Sequence, residues 1–161
     1  MSILVGLGYD AHSFREGRKL VLGGVEVPHG RGLDGHSDAD VLVHALMDAL
    51  LGACGERDIG EHFPATDPAY ENISSIVLLH RVMDILKDKG FRVVNADCVL
   101  VAQEPRLSPH IAGMRDILAE AMRISVDRVG VKATTTEGMG FTGRGEGIAA
   151  LATVLIETIS T

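Results

Sequence analysis

Two residues one position apart carry the first chemical signal. In the run Gly8-Tyr9-Asp10-Ala11-His12 an apolar, strand-like segment comes to its end. Strand side chains alternate with period two, so Asp10 and His12 are expected on one face. A carboxylate beside an imidazole is a metal-ligand pair, or simply a hydrogen bond at a strand end. Further on, Asp40, His44 and Asp48 fall at i, i+4 and i+8 among Val41, Leu42, Ala45, Leu46, Ala49 and Leu50. On a helix they form a polar stripe along an otherwise apolar cylinder. Burying three ionisable groups is costly unless they find partners or a cation. Asp10, His12 and His44 make a two-His, one-carboxylate set suited to Zn²⁺, with a fourth position open to a substrate oxygen. Asp48 is then expected to orient His44 as an acceptor. The other reading of the same spacing is an Asp–His hydrogen-bond network without metal.

Three loops carry anion-binding or substrate-binding character. Gly35-His36-Ser37-Asp38 precedes the polar-striped helix, where backbone N–H groups and the positive end of the helix dipole suit a phosphate, unless Ser37 merely caps the helix. Thr134 to Gly147 combines hydroxyls, Glu137, Arg144 and five glycines, with Lys132 just before it. Glu137 among phosphate-binding hydroxyls suits Mg²⁺, which commonly bridges one carboxylate to substrate phosphates. The plainer alternative is a mobile surface hairpin. Arg106, in Gln103-Glu-Pro-Arg-Leu-Ser-Pro109, offers a phosphate contact or a solvated charge. Asp58-Ile-Gly60 and Phe63-Pro-Ala-Thr-Asp67 are placed in a long loop as a lid or substrate wall, with disorder as the alternative. His29, His62, His80 and His110 have no partner at ligand spacing and are assigned to surface or packing.

The elements that must position these groups follow from pattern and punctuation. Residues 3–9 read as a strand, and 19–27 as a hairpin turning at Gly23-Gly24. Ser37-Asp-Ala-Asp40 matches a capping box opening a helix that runs to about Gly55. Glu56 to Asn72 reads as irregular on its two prolines and its Asp67-Pro68 step. A second helix is expected over 74–89, with Ile76, Leu79, Val82, Met83 and Leu86 near helical spacing and Gly90 as its stop. Strand 93–102, a Pro-bounded loop 103–109, helix 110–122, a Ser125-capped turn, strand 129–134, the Gly-rich loop 135–147 and strand 148–159 complete the chain. With no repeat or linker, residues 1–161 form a single catalytic domain. Its class is α+β: two layers, a mixed β-sheet with helices mainly on one face, and a small β-hairpin.

Composition narrows the function. The 161 residues carry 15 Lys+Arg against 22 Asp+Glu, a formal charge of −7, with 46% hydrophobic and 23% charged residues, as in ordinary globular proteins. Aromatic residues are 4% with no Trp, which with the acidic balance disfavours base stacking and nucleic-acid binding. Glycine, 19 residues, is well above the usual ~7% and points to tight turns or close backbone approach. Cys54 and Cys98 lack CxxC spacing and are expected as buried, reduced thiols. No cationic leader opens the chain and no apolar window approaches ~18 residues. A cytoplasmic protein with no membrane partner is therefore expected.

Five ordered motifs, Gly8-Tyr-Asp10-Ala-His12, His36-Ser-Asp-Ala-Asp40-Val-Leu-Val-His44, Asp58-Ile-Gly60, Ala102-Gln-Glu-Pro-Arg-Leu107 and Val131-Lys-Ala-Thr-Thr-Thr-Glu137 through Gly143-Arg-Gly-Glu-Gly147, resemble the 2-C-methyl-D-erythritol 2,4-cyclodiphosphate synthase family. The resemblance covers essentially the whole chain. It implies cyclisation of 4-diphosphocytidyl-2-C-methyl-D-erythritol 2-phosphate with release of CMP, in the non-mevalonate route to isoprenoids. It also implies a homotrimer with active sites at subunit interfaces, each holding Zn²⁺ and a second divalent cation, Mg²⁺ or Mn²⁺. Asp10, His12 and His44 match the zinc ligands, and Glu137 the carboxylate near the second cation. His36 and Thr135 match groups acting on the transferring phosphoryl. Ser37, Asp58, Ile59, Gly60, Phe63, Pro64, Ala65, Thr66 and Asp67 match the methylerythritol-phosphate wall. Ala102, Gln103, Glu104, Pro105, Arg106, Leu107 and Ser108, with Thr134 and Thr135, match the cytidine-phosphate side, and Thr136 is counted among the substrate-binding residues. Phe141 and Arg144 match residues of the Gly-rich loop that also line a central cavity in trimers. Gly138 and Arg106 stand where lysine is common, and Glu104 where a small residue is common. Arginine keeps the charge but changes its hydrogen-bonding geometry. Two competing classes are a metal-dependent phosphoesterase using water on the same ligands, and a non-catalytic trimeric binding protein with a structural metal.

Overall fold

The computed structural model describes residues 1–159. Among the described residues seven strands are present: β1 (Ile3–Arg15), β2 (Leu20–Leu22), β3 (Val25–Val27), β4 (Gly32–Leu33), β5 (Phe91–Val101), β6 (Val129–Thr134) and β7 (Gly147–Thr158). The helices are α1 (Val41–Ala53), α2 (Ile59–His62), α3 (Ser75–Asp88), α4 (Ile111–Met122) and α5 (Gly140–Gly143), with short 3₁₀ turns at Pro68–Tyr70, Ser108–His110 and Val126–Arg128. One five-stranded sheet runs β4-β1-β7-β5-β6, and β2-β3 stand apart as a hairpin. Only β5 and β6 pair in parallel, with α4 in the crossover between them; the other pairs are antiparallel. The α+β class and the mixed sheet agree with expectation.

Helix α1 forms the centre of the core. All its residues except Asp48 and Gly52 are buried, because it lies flat on β1 and β7. Two glycines of β1 permit that contact. A Cβ at Gly6 would sit 1.9 Å from the Ala49 carbonyl oxygen, and one at Gly8 equally close to that of Ala45. Any side chain there lifts the helix from the sheet. Alternation then places Asp10 and His12, both partly buried, on the same face as those glycines, where they meet His44 of α1.

The hairpin belongs to the helical layer. Gly23 and Gly24 turn with positive φ of 58° and 77°, a conformation cheap only for glycine, and their N–H groups donate to the Asp40 carboxylate at 2.9 and 2.7 Å.

Four local expectations are corrected. β1 extends to Arg15 because β7 pairs with it as far as Ser13, after which β4 takes over through Phe14 and Arg15, so Asp10 and His12 lie inside the strand. The capping box does not form. Ala39 adopts φ 57°, α1 begins at Val41, and Asp40 is the cap, accepting from the Val43 N–H. Segment 56–72 is partly ordered into α2 and a 3₁₀ turn, each capped by an aspartate, Asp58 and Asp67. The Gly-rich loop contains the single turn α5. No helix among the described residues is long and apolar enough to cross a membrane.

Candidate active site

Three ligand atoms converge where β1 meets α1. His12 Nε2 lies 2.8 Å from Asp10 Oδ2 and 3.2 Å from His44 Nδ1, and His44 Nδ1 lies 3.2 Å from Asp10 Oδ2. Tetrahedral bonds of about 2.0–2.1 Å require ligand atoms roughly 3.3–3.4 Å apart, so a slight widening of this triangle admits a zinc ion. The far side of each ring is also prepared. His12 Nδ1 faces the Asp34 carbonyl oxygen at 2.6 Å, and His44 Nε2 faces the hydroxyls of Ser75 at 3.0 Å and Ser37 at 3.1 Å. Metal-bound histidines characteristically place their second nitrogen against such partners. Donor types, separations and outer partners all fit a divalent zinc-like ion.

The electrostatics suit the same purpose. Burial pushes the Asp10 carboxyl up, but its close contacts with His12 and His44 and their nearby charge outweigh it and hold the group well below the usual carboxylate range. Burial pushes His12 down, and its bond to Asp10 more than reverses this, leaving it raised.

Asp48 does not orient His44. Its carboxylate accepts from the Ile59 N–H at 2.9 Å, tying α1 to α2 and setting the wall above the triad. That wall encloses a cavity of about 200 Å³ lined by His12, His36, His44, Ile59, Phe63 and Tyr70 among others. Nor is the α1 N-terminus an open phosphate site: the fully buried Asp40 carboxylate occupies it, bonded to three backbone N–H groups. Burial and the Asp38 charge push Asp40 upward, while those three donors favour its ionised form.

A second cavity, about 620 Å³, lies between the loop after β5 and the end of β6, lined by His29, Ala102 to Ser108 and Ala133 to Thr135. It shares no lining residue with the first. The YgbB family profile matches residues 3–157. The chain belongs to the YgbB family. It is 58% identical over 153 residues to the 2-C-methyl-D-erythritol 2,4-cyclodiphosphate synthase of Geotalea uraniireducens (strain Rf4), covering 95% of this chain and 98% of that one. Among solved structures it resembles the bifunctional IspDF of Campylobacter jejuni, with TM-score 0.95, 42% identity, and coverage of 99% of this chain and 43% of that one. It also resembles a 2C-methyl-D-erythritol-2,4-cyclodiphosphate synthase in a CDP-bound form, with TM-score 0.87, 38% identity, and coverage of 95% and 99%.

In this YgbB chain the sequence-derived residues fall into two groups. Asp10, His12, His36, Ser37, His44, Ile59, Gly60, Phe63 and Ala65 gather at the triad and its cavity. Asp58 and Asp67 lie at its margin, their carboxylates accepting from the Glu61 and Ala69 N–H groups, with His36 Nε2 meeting the Asp67 carbonyl oxygen at 2.9 Å. Pro64 and Thr66 are exposed on the same segment. The run Ala102–Ser108 with Thr134 and Thr135 lines the second cavity, and the Gly138 N–H donates to the Gln103 side chain at 3.2 Å, joining the two loops. Glu137 is exposed at φ 52° and outside the triad cluster. Thr136 bonds within its own loop to Met139 and Thr142. Phe141 is exposed and Arg144 pairs with Glu146 at 2.8 Å. His29, assigned to surface or packing, lines the second cavity; Asp38, read only as part of a phosphate loop, bonds Ser75; and Tyr70, Leu78 and Ser75 are not singled out by the sequence. Each joins its cavity or partner from a distant segment, so no local spacing marks it.

Proposed function

We propose that the chain cyclises 4-diphosphocytidyl-2-C-methyl-D-erythritol 2-phosphate to 2-C-methyl-D-erythritol 2,4-cyclodiphosphate with release of CMP. This is the reaction named by its relatives in the YgbB family, and it places the chain in non-mevalonate isoprenoid biosynthesis. The observation that carries the reading into chemistry is the metal-ready triangle of Asp10, His12 and His44 facing a cavity with an apolar wall. A 2-phosphate oxygen forms the new bond to the β-phosphorus, and the bond from that phosphorus to the CMP oxygen breaks, its electron pair leaving with CMP. No protein nucleophile is needed.

Asp10, His12 and His44 hold Zn²⁺, which when bound supplies Lewis-acid polarisation of a phosphoryl oxygen. Ile59, Gly60 and Phe63 grip the methylerythritol part and exclude water, so that hydrolysis does not compete with cyclisation. His36, on the same wall, hydrogen-bonds the phosphate held there, and Thr135 orients the transferring phosphoryl from the other side. Ala102 to Ser108 with Thr134 seat the cytidine phosphate, and Glu137 carries the second cation, Mg²⁺ or Mn²⁺. Folding one flexible molecule into a near-attack shape is the main task, since nucleophile and electrophile arrive already linked.

The working unit is a homotrimer with each site at a subunit boundary. Two observations support it. The two cavities share no residue within one chain, so one cavity can face the other's counterpart on a neighbour. The sheet face turned away from the helices exposes Ile3, Val5, Leu7, Tyr9 and Leu151, an apolar patch of the kind that marks protein interfaces.

Purified protein incubated with the cytidine diphospho-substrate, with and without chelator, and followed by mass spectrometry tests the reading. Metal-dependent cyclic diphosphate and CMP are expected. A hydrolysed chain would instead identify a water-using phosphoesterase, and no reaction would leave a binding protein.

A further inference from the structure

We infer that Ser75 and Asp38 form a hydroxyl–carboxylate relay that fixes which nitrogen of His44 is free for the metal, making them positioning residues of the site. A neutral imidazole has one N–H, and its partner decides where that proton sits. His44 must carry it on Nε2 if Nδ1, which faces Asp10 and His12, is to offer a lone pair. His12 solves the equivalent problem directly. Its Nδ1 meets the Asp34 carbonyl, which can only accept, so the proton stays on that side.

His44 Nε2 meets hydroxyls, and a hydroxyl can donate or accept. A serine donating to Nε2 would send the proton to Nδ1 and close the nitrogen that the metal needs. Asp38 removes that ambiguity. Its Oδ1 lies 2.5 Å from Ser75 Oγ, so the Ser75 O–H donates to an acceptor-only carboxylate and its oxygen is left to accept from His44 Nε2–H at 3.0 Å. Asp38 is itself held by the Ser75 N–H on Oδ2 at 3.1 Å and the Asp40 N–H on Oδ1 at 3.2 Å. Ser37 Oγ also touches Nε2, accepts from the Ala39 N–H and lies 3.5 Å from Ser75 Oγ, but it has no hydrogen bond to a carboxylate that would fix the direction of its O–H.

The relay also couples the metal corner to the loop above it. The Asp38 N–H donates to the Ile73 carbonyl at 3.0 Å and the Asn72 N–H to the His36 carbonyl at 2.8 Å. Ser75, fully buried in the first turn of α3, thus ties the end of segment 56–72 to a ligand of the triad.

The inference rests on the metal reading of the triad and not on the identity of the reaction, so its test is metal binding in the absence of substrate. Zinc affinity is measured by chelator competition for the parent, Ser75→Ala, Asp38→Asn and the double variant, with the His44 tautomer read by ¹⁵N NMR in metal-free protein. Each single variant is expected to weaken zinc by about 10–100-fold, the usual effect of removing an outer partner. The double variant should lose no more than roughly threefold beyond the weaker single, since both act through one chain of bonds. Ser37→Ala should cost less than either. The tautomer should shift from Nε2–H toward a mixture in both relay variants, a change that simple loosening of the fold would not produce. Parent-like affinity and tautomer in folded Ser75→Ala, or fully additive losses, would overturn the relay. Should Ser75→Ala fail to fold, Asp38→Asn decides by the same two readouts. A protein that binds zinc this way yet does not cyclise the substrate would leave the relay standing.

Discussion

Around Asp10, His12 and His44 each ring nitrogen and the Asp10 carboxylate have a partner within the chain, whereas across the loop pair 102–108 and 134–147 most polar side chains are exposed. Gln103, Glu104, Arg106, Ser108, Thr134, Thr135 and Glu137 all face solvent. The metal corner is laid down on a strand and a helix pressed together through Gly6 and Gly8. The loop pair hangs from the ends of β5 and β6, and the bonds within it leave those side chains turned outward. A pre-organised group contributes to catalysis without reordering at the moment of reaction, so the chemistry should reside in the first region. The second should supply substrate affinity and be completed by a neighbouring chain.

The sharpest way to break that division is to remove a ligand. His12→Ala is expected to abolish zinc retention and to lower turnover by ~10³-fold or more, since a metal's charge stabilisation is worth several kcal/mol. The fold should survive, because β1 stays paired with β7 from Ile3 to Ser13 and with β4 at Phe14 and Arg15. Metal content after dialysis, circular dichroism and CMP release check this. A variant that unfolds would make the metal structural and dissolve the contrast.

Next in size is separation of the chains. Leu7 is 70% exposed on the outer face of the sheet, and Leu7→Glu is expected to yield monomers by sedimentation. If the loop pair acts on a neighbour's metal corner, such monomers should bind zinc as before while turnover falls by about 10²-fold, the scale of loss from misplaced reacting groups. Monomers turning over at the parent rate would show that one chain suffices.

The same contrast explains what could be read from sequence. Period two placed Asp10 and His12 together, and a helical repeat placed His44 on a largely buried helix, because both signals lie within one element. Strand β6 was expected at 129–134 and is found there. What could not be read depends on segments distant in the chain. Ser75 and Asp38 meet only because α3 packs beside the loop before α1. Asp48 was assigned to His44, but the N–H of Ile59 claims its carboxylate. The capping box failed because Ala39 turns left-handed, which hands the cap to Asp40 and frees Ser37 for His44. Segment 56–72 looked irregular from its prolines, yet Asp58 and Asp67 each cap a short turn within it.

A smaller effect concerns protons. His12 is held above its ordinary 6.5, so its contribution to the stability of metal-free protein is fully present below that value and is lost as pH rises through the raised one. Asp10 is held below its ordinary 3.8, so its contribution is present above 3.8 and is lost as pH falls through the lowered value. The combined contribution of these two groups to chelated protein is therefore greatest between roughly pH 4 and 6.5. Zinc needs His12 neutral, so its affinity should run the other way, falling by about tenfold per unit once pH drops below the raised value. Melting with and without zinc at pH 5 and pH 8 measures both trends, and the zinc-induced gain should be larger at pH 8. A gain independent of pH would mean that no proton is displaced from the triangle.

The smallest expected effect lies in the loop pair. Arg106 is exposed, with only its Nε bonded, to Ser108 Oγ at 3.0 Å, so its remaining donors are free for a phosphate oxygen. Removing such a contact in a solvated setting costs about 1 kcal/mol, or roughly fivefold. Arg106→Ala should therefore raise KM by about that factor and leave kcat within about twofold, because the contact is equally strong before and during the reaction. Arg106→Lys should recover only part of the loss, since it restores the charge without the planar fork. Zinc affinity and melting temperature should not move in either variant. A tenfold fall in kcat with KM unchanged would mean instead that the exposed loop tightens on the transition state. Affinity and chemistry would then not divide between the two regions as their burial suggests.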